Sequence, residues 1–309
     1  MSFWTENPCA PSWKLFASAW WNNTPPRLLC SSPWQPTPKP IPALELRRAK
    51  VEDARAIVEF WNRYYSTSKY SKAFFPADVF CQRLLKGVWD AFIVVHRQTG
   101  ELVGTITRRW MQNIQWSEAL FPRAGFIEYF CVHPAWRKQG VGNWLLSTLH
   151  ITALRNGVCP PHFFLWEGLN LRIPSFCAGF FYSKRGMARG SLQLLPQAHQ
   201  QAAWDLCKMD CIGNQRYPVG MDSEYTFYKA SKPVLIWNTF HRSMPDGAKI
   251  GIILGNPSEE DIQTVLNDGH FGVLLRTSSA EGWERDSPYQ WIGYNIEYRS
   301  FMHNFPCLA

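Results

Sequence analysis

Apolar positions change their spacing several times along this chain. The stretch "ALELRRA" at residues 43–49 alternates apolar and polar residues, the period of a half-buried strand. "VEDARAIVEFWNRYYS" then puts Ala54, Ile57, Val58, Trp61 and Tyr65 on one face at helical spacing. "PADVFCQRLL" predicts a second, shorter helix. In "DAFIVVHRQTGELVGTITRRW" two apolar runs flank Gln98-Thr99-Gly100, which reads as a hairpin. "FIEYFCV" is a further strand. Leu145, Leu146, Leu149 and Ala153 line a helical face that Gly157 ends. "PHFFLWEG" is another strand, and after a break at Pro174 comes the closing segment "CAGFFYSKRGM".

The order is strand, helix, helix, hairpin, strand, helix, strand, closing segment. A mixed α/β fold with a central sheet follows. Beyond residue 190 the signal thins. "PVLIWNTF", "KIGIILG", "FGVLLRT" and "YQWIGYNIEY" read as strands, and "SEEDIQTVLNDG" as a helix capped by Ser258 and stopped at Gly269. No internal sequence repeat is evident. Residues 1–41 are rich in Trp and Pro, which blocks helix and favours extended structure. The tryptophans suit docking on the body. The expected organisation is an N-terminal extension (1–41), a mixed α/β domain (42–190) and a C-terminal lobe (191–309).

Composition narrows the chemistry. Of the 309 residues 46% are hydrophobic and 18% charged, a globular balance with ample length for a core. The net charge of +8 favours an anionic partner. The basic residues are scattered and no nucleic-acid module is present, so a local phosphate site fits better. Nine cysteines lie without metal spacing; Cys207 and Cys211 form only a lone C-x-x-x-C. No metal is expected. Reduced thiols and a cytoplasmic setting are. No apolar run is long enough to span a membrane, and the sequon at Asn22-Asn23-Thr24 follows no secretory signal.

The strand "FIEYFCV" breaks at Pro134 and passes through Arg137-Lys138-Gln139-Gly140-Val141-Gly142 into the helix. A helix N-terminus exposes backbone N–H groups and about half a positive charge. Glycines let that backbone approach an anion, and Arg137 and Lys138 add charge. The loop suits a pyrophosphate. It lacks the Gly-Lys-Ser/Thr of a Walker loop and the third glycine of a dinucleotide fingerprint.

In the run "VHPAWRKQGVG" the segment resembles the acyl-CoA signature of the GNAT superfamily of N-acyltransferases, Arg/Gln-x-x-Gly-x-Gly/Ala after a strand ending in Val-x-Pro. "FYSKRGM" resembles the superfamily's Phe-Tyr-x-Lys-x-Gly-Phe, whose tyrosine stands near the CoA sulfur as general acid. The resemblance assigns that role to Tyr182. Residues 1–190 are also similar to N-myristoyltransferase, one branch of the superfamily. Phe3-Trp4-Thr5 with Pro8 echoes its Phe-Trp-x-Thr-x-Pro element, and "EYFCVH" and "ELVGTI" echo two of its strands. Gly168, Pro174, Cys177, Phe180, Phe181 and Ser183 echo a later segment. There are departures. That branch lacks glycines in the basic loop, its glycine-rich C-terminal loop is absent here, and the remaining chain is short for a full second acyltransferase-like half.

The resemblance implies a GNAT fold, an acyl-CoA co-substrate and an amine acceptor that attacks the thioester directly. Phe3, Trp4, Cys131, Val132, Arg137, Lys138, Gln139, Gly140, Val141 and Gly142 would bind acyl-CoA. Backbone N–H groups would hold the oxyanion, at Tyr129 and Phe130 by the myristoyltransferase register or nearer Val132 by general GNAT practice. Glu128 interrupts an apolar strand and is a candidate base, since burial raises a carboxyl pKa. The Ala309 carboxylate is the rival, by analogy with myristoyltransferase, and His133 a third. Acyl length stays open between acetyl and myristoyl, aromatic richness favouring the longer. A CoA-binding protein without catalysis and a nucleic-acid module are the competing classes.

Overall fold

The computed structural model describes residues 27–28, 40–65, 71–116, 119–155, 160–167, 177–186, 219–221, 225–228, 230, 232–243, 246–255, 257–277, 279–294 and 296–297. Its strands are β1 (Arg27–Leu28), β2 (Leu44–Arg48), β3 (Ser71–Ala73), β4 (Trp89–His96), β5 (Leu102–Trp116), β6 (Ala119–Val132), β7 (His162–Glu167) and β8 (Cys177–Arg185). There follow β9 (Val219–Met221), β10 (Tyr225–Tyr228), β11 (Val234–Ser243), β12 (Lys249–Leu254), β13 (Val273–Arg276), β14 (Glu284–Tyr294) and β15 (Ile296–Glu297). The helices are α1 (Ala54–Tyr64), α2 (Ala77–Leu85), α3 (Val141–Arg155) and α4 (Glu259–Asn267). The expected mixed α/β fold with a central sheet is present. β6 starts earlier than its apolar run, because a long hairpin with β5 carries it outward from Phe126 to Ala119.

One thirteen-stranded sheet runs β10-β11-β12-β13-β8-β14-β7-β6-β5-β4-β2, with β3 added on β11 and β9 on β5. Two parallel crossovers lie in it: β6, α3, β7 and β12, α4, β13. Between them β7, β14, β8 and β13 alternate in direction. The sheet therefore reads alike from either side of the β8–β14 pair, although the sequence does not repeat. β14, from late in the chain, lies between β7 and β8, so residue 190 separates no two sheets.

Helical periodicity explains where the helices sit. Val141, Leu145, Leu146 and Leu149 of α3 are almost fully buried against Val94, Ile106, Ile127 and Phe164. Each buried side chain of this size contributes about 1.5–3 kcal/mol relative to exposure. Gly104 lets α3 lie this close: a Cβ there would stand 3.1 Å from Leu145 Cδ1 and 3.2 Å from Val141 Cγ1. α1 and α2 cover the other cluster, where Trp61, Phe75, Phe80, Trp89 and Tyr129 interlock. Trp61 donates its indole N–H to Thr105 Oγ1 at 2.8 Å, so the ring loses no hydrogen bond on burial. α4 is capped by Ser258, which accepts from the Asp261 N–H, and buries Ile262, Val265 and Leu266 against β11–β13.

A polar network lies beneath α3. Asp90 accepts from Arg108, Arg48 and Trp110. Arg108 also reaches His162 Nε2 and the Leu149 carbonyl, each at 3.3 Å. Burial pushes the Asp90 carboxyl up, but the guanidiniums of Arg108 and Arg48 outweigh it and hold the pKa below the usual range. His150 stands 5.6 Å from His162, ring to ring, and burial with the Arg108 charge lowers both imidazole pKa values.

Candidate active site

β6 and β7 pair in parallel only at Gly125–Ile127 with His162–Phe164. Beyond Ile127 both strands continue but separate, β7 turning to β14 and β6 staying with β5. The separation opens a cleft at the end of β6. Thr105 pairs with Cys131 and Thr107 with Glu128, so Tyr129 and Phe130 together oppose Ile106. This is a β-bulge. Tyr129 adopts φ 46, a left-handed conformation rare for a bulky residue. Thr107 and Thr105 donate their hydroxyls to the Glu128 and Tyr129 carbonyls at 2.7 and 3.1 Å, replacing the ladder bonds the bulge breaks.

The polar groups of Val132 face the cleft. The His133 N–H donates to the Val103 carbonyl on β5 at 2.8 Å. Neighbouring residues along a strand turn their peptide groups to opposite edges. The Val132 N–H and C=O therefore point away from β5, and the carbonyl accepts from Arg137 Nε at 3.0 Å. That bond folds the basic loop back over the strand end. Tyr129 and Phe130 lie in the bulge itself, Val132 just past it.

The loop enters α3 through two left-handed residues, Lys138 at φ 64 and Gly140 at φ 86. No atom lies within 4 Å of a Cβ built on Gly140, so conformation, not crowding, selects glycine there. The Gly140 carbonyl accepts the Trp144 N–H at 3.0 Å, which leaves the first N–H groups of α3 pointing outward. No acid stands in that first turn. Arg137, Lys138, Gln139 and Gly140 are exposed, and Gln139 Nε2 donates to the Ala135 carbonyl at 2.9 Å. Val141 is buried. A Cβ on Gly142 would stand 3.2 Å from Phe130 Cζ, so that glycine seats the loop on the bulge. Two exposed cations and the first N–H groups of α3 thus lie together, the arrangement a helix N-terminus offers to an anion.

The candidate bases are placed as follows. Glu128 does not stand alone: its carboxylate accepts from Arg109 Nε at 2.8 Å, and Arg109 is wholly buried. The Arg109 guanidinium also lies over the rings of Phe126 and Trp237, at 4.8 and 5.3 Å. His133 uses both ring nitrogens. Nδ1 accepts the Ala135 N–H at 3.2 Å, so Nε2 carries the proton and donates to the Tyr64 hydroxyl at 3.2 Å. Ala309, Phe3 and Trp4 lie outside the described residues. Cys131 lies in the cluster under α1 and α2, and burial pushes its thiol up to about 12, which makes it unreactive. Tyr182 is half-buried on β8, with β14 and β7 between it and β6, and packs against the α4 cluster.

Sequence reasoning passed over several residues the structure brings here. Two arginines in an apolar strand, as in "TITRRW", signal buried charge; both are buried, Arg108 beside Asp90 and Arg109 beside Glu128. Tyr65, Thr239, Phe240 and His241 reach the bulge only through tertiary packing. Tyr65 lies 5.1 Å from the Tyr129 ring and 6.1 Å from His241. A separate cavity of about 440 Å³ opens among Arg185, Arg242, Asp246, Lys249 and His270, at the same end of the sheet as the basic loop. Among the described residues no cluster of His, Cys, Asp and Glu could hold a metal ion, and no helix is long and apolar enough to cross a membrane.

Comparison with known proteins follows this geometry. Residues 54–166, from α1 through β7, match the acetyltransferase (GNAT) family. No curated protein matches the chain by sequence. A crystal structure of Saccharomyces cerevisiae N-myristoyltransferase with bound myristoyl-CoA and inhibitors superposes with a TM-score of 0.69 at 11% identity, covering 97% of this chain and 91% of that one. A second structure of the yeast enzyme, with bound myristoyl-CoA, gives 0.67 at 11% identity, covering 97% and 93%. Residues 54–166 thus match the acetyltransferase (GNAT) family, and the fold of the chain as a whole is of the N-myristoyltransferase type.

Proposed function

We propose that this protein transfers an acyl group from acyl-CoA to a primary amine, and that the group is long, as in myristoyl-CoA, with an N-terminal glycine as acceptor. The observation that carries the acyl-CoA reading is the basic loop Arg137–Gly140, which feeds the N-terminus of α3 beside the cleft between β6 and β7. The pyrophosphate lies on the N–H groups of Val141, Gly142 and Asn143, with Arg137 and Lys138 alongside. The thioester reaches the bulge, where the Val132 N–H, or those of Tyr129 and Phe130, meet the developing oxyanion. The amine nitrogen bonds to the carbonyl carbon, and the C–S bond breaks with its electron pair leaving on sulfur as the CoA thiolate. Tyr182, the acid the resemblance implied, stands three strands away from β6.

Support for the long chain is the fit to yeast N-myristoyltransferase, which spans both lobes and not only residues 54–166. An acetyl donor is the alternative. A cytoplasmic setting belongs to the proposal and rests on the nine scattered cysteines. CoA binding without turnover is the second reading, favoured by the ion pair that occupies Glu128 and the bonds that occupy His133.

Native mass spectrometry with acetyl-CoA and myristoyl-CoA in competition tests the proposal. Retention of myristoyl-CoA is expected. Retention of acetyl-CoA alone makes the protein an acetyltransferase with a second lobe. Retention of neither, with Gly140→Asp indistinguishable from wild type, overturns the phosphate cradle.

A further inference from the structure

The bulge of β6 is held from the far side of the sheet. β11 also breaks register: Asn238 pairs with Gly251, but His241 pairs with Ile250, and Phe240 between them adopts φ 52. The slip puts His241 level with Ala73 and Ile250, both buried. Phe240 packs on Phe75 at 4.3 Å, and the Tyr129 hydroxyl donates to the Thr239 carbonyl at 3.3 Å. The His241 ring lies parallel to Tyr65, at an interplanar angle of 9°, and Tyr65 lies against Tyr129. His241 is thus two ring contacts from the bulge.

Its Nε2 is shielded from water and has no hydrogen-bond partner among the described residues. A buried ring nitrogen without a partner costs free energy, and such groups mark places where a ligand supplies the missing bond. Arg242, next along the strand, turns to the other face and sits over Phe74 at 4.2 Å.

We infer that His241 is the proton acceptor for the attacking amine, a catalytic residue supplied by the second lobe. The inference rests on the acyltransferase reading above and deepens it. With its own proton on Nδ1, the imidazole presents a lone pair at Nε2. As the N–C bond forms and the C–S bond breaks, the electron pair leaves on sulfur and the amine's proton passes to Nε2. Burial lowers the His241 pKa to about 4, so the ring is unprotonated at neutral pH and a weak base, which takes the proton once the forming N–C bond has made the nitrogen acidic. Glu128 and His133, the sequence-derived alternatives among the described residues, are already engaged.

The test compares wild type with His241→Ala and His241→Gln. Acyl-CoA affinity is measured by calorimetry with acetyl-CoA and myristoyl-CoA, and CoA thiol release is followed with glycinamide, glycine-initiated peptides and lysine peptides as acceptors. The expected result is unchanged acyl-CoA affinity and melting temperature in both variants, with kcat lower by about a hundredfold or more. Added imidazole restores His241→Ala and not His241→Gln. Turnover within threefold of wild type overturns the assignment. So does a loss that imidazole leaves unrestored, or one accompanied by loss of acyl-CoA binding. Wild type that holds acyl-CoA and acylates no amine overturns it as well. Wild type that binds no acyl-CoA refutes the acyltransferase reading itself, a separate result.

Discussion

The hydroxyl of Tyr129 donates to the backbone carbonyl of Thr239, 110 positions later in the chain. One residue lies in the bulge of β6 and the other at the register slip of β11. A left-handed non-glycine residue is costly, and it persists only where its surroundings over-determine it. Here Trp61 stacks on Tyr129 at 4.4 Å, and Thr239 anchors the hydroxyl. Tyr129→Phe keeps the ring and deletes the anchor. It should cost about 1 kcal/mol of stability by denaturant unfolding, while Tyr129→Ala should cost about 3–5 kcal/mol.

Gly140 is read as a conformational requirement. Gly140→Ala should weaken acyl-CoA binding only a few-fold, with strain of about 1 kcal/mol from φ 86. Gly140→Asp sets a carboxylate at the phosphate position and should weaken it by roughly tenfold or more, most at low salt. Calorimetric titration with acyl-CoA at two ionic strengths measures both effects. Equal affinity for all three proteins would move the phosphate site elsewhere.

Glu128 separates structure from chemistry. Its Arg109 partner is wholly buried, so removing the carboxylate deletes a negative charge that faces a buried guanidinium. Glu128→Gln should lower stability by about 3–5 kcal/mol. A Glu128→Gln protein as stable as wild type, with turnover lost, would return Glu128 to the role of base.

Low pH should destabilise the protein through His150. Burial and the nearby Arg108 charge lower its pKa to about 4, against an unfolded value of 6.5. Between those values the unfolded chain binds a proton that the folded chain refuses, so stability rises with pH across that window. It is fully present above about pH 6.5 and falls by roughly 3 kcal/mol as pH drops to 4. Denaturant unfolding at pH 7.5 and pH 5 measures the slope. His150→Leu should make it shallower, with His162 and His241, whose pKa values burial also lowers, supplying the remainder, and an unchanged slope would remove His150 as a source.

Local pattern made much of the first lobe legible. The face Leu145, Leu146, Leu149 specified α3, and two apolar runs around a Gln-Thr-Gly turn specified the β4–β5 hairpin. The loop "RKQGVG" was legible as the proposed phosphate site because its chemistry is contiguous: glycines, cations and helix N-terminus lie within one short stretch. Glu128 read differently in sequence and structure. An isolated acid in an apolar strand suggests a buried free carboxyl, and Arg109 becomes its partner only when β5 and β6 come into register.

The sequence by itself determined the elements, their order in residues 42–186 and the basic, glycine-bearing loop into α3, because helical and strand periods and turn chemistry act within a few residues. Tertiary structure alone decided that β14 enters between β7 and β8, that two crossovers flank one symmetric centre, that Thr239 meets Tyr129 and that His241 meets Tyr65. Those relationships are hydrogen bonds and ring contacts between segments more than a hundred residues apart. Their partners are chosen by burial and register in the folded sheet, and a local window of sequence carries no trace of that choice.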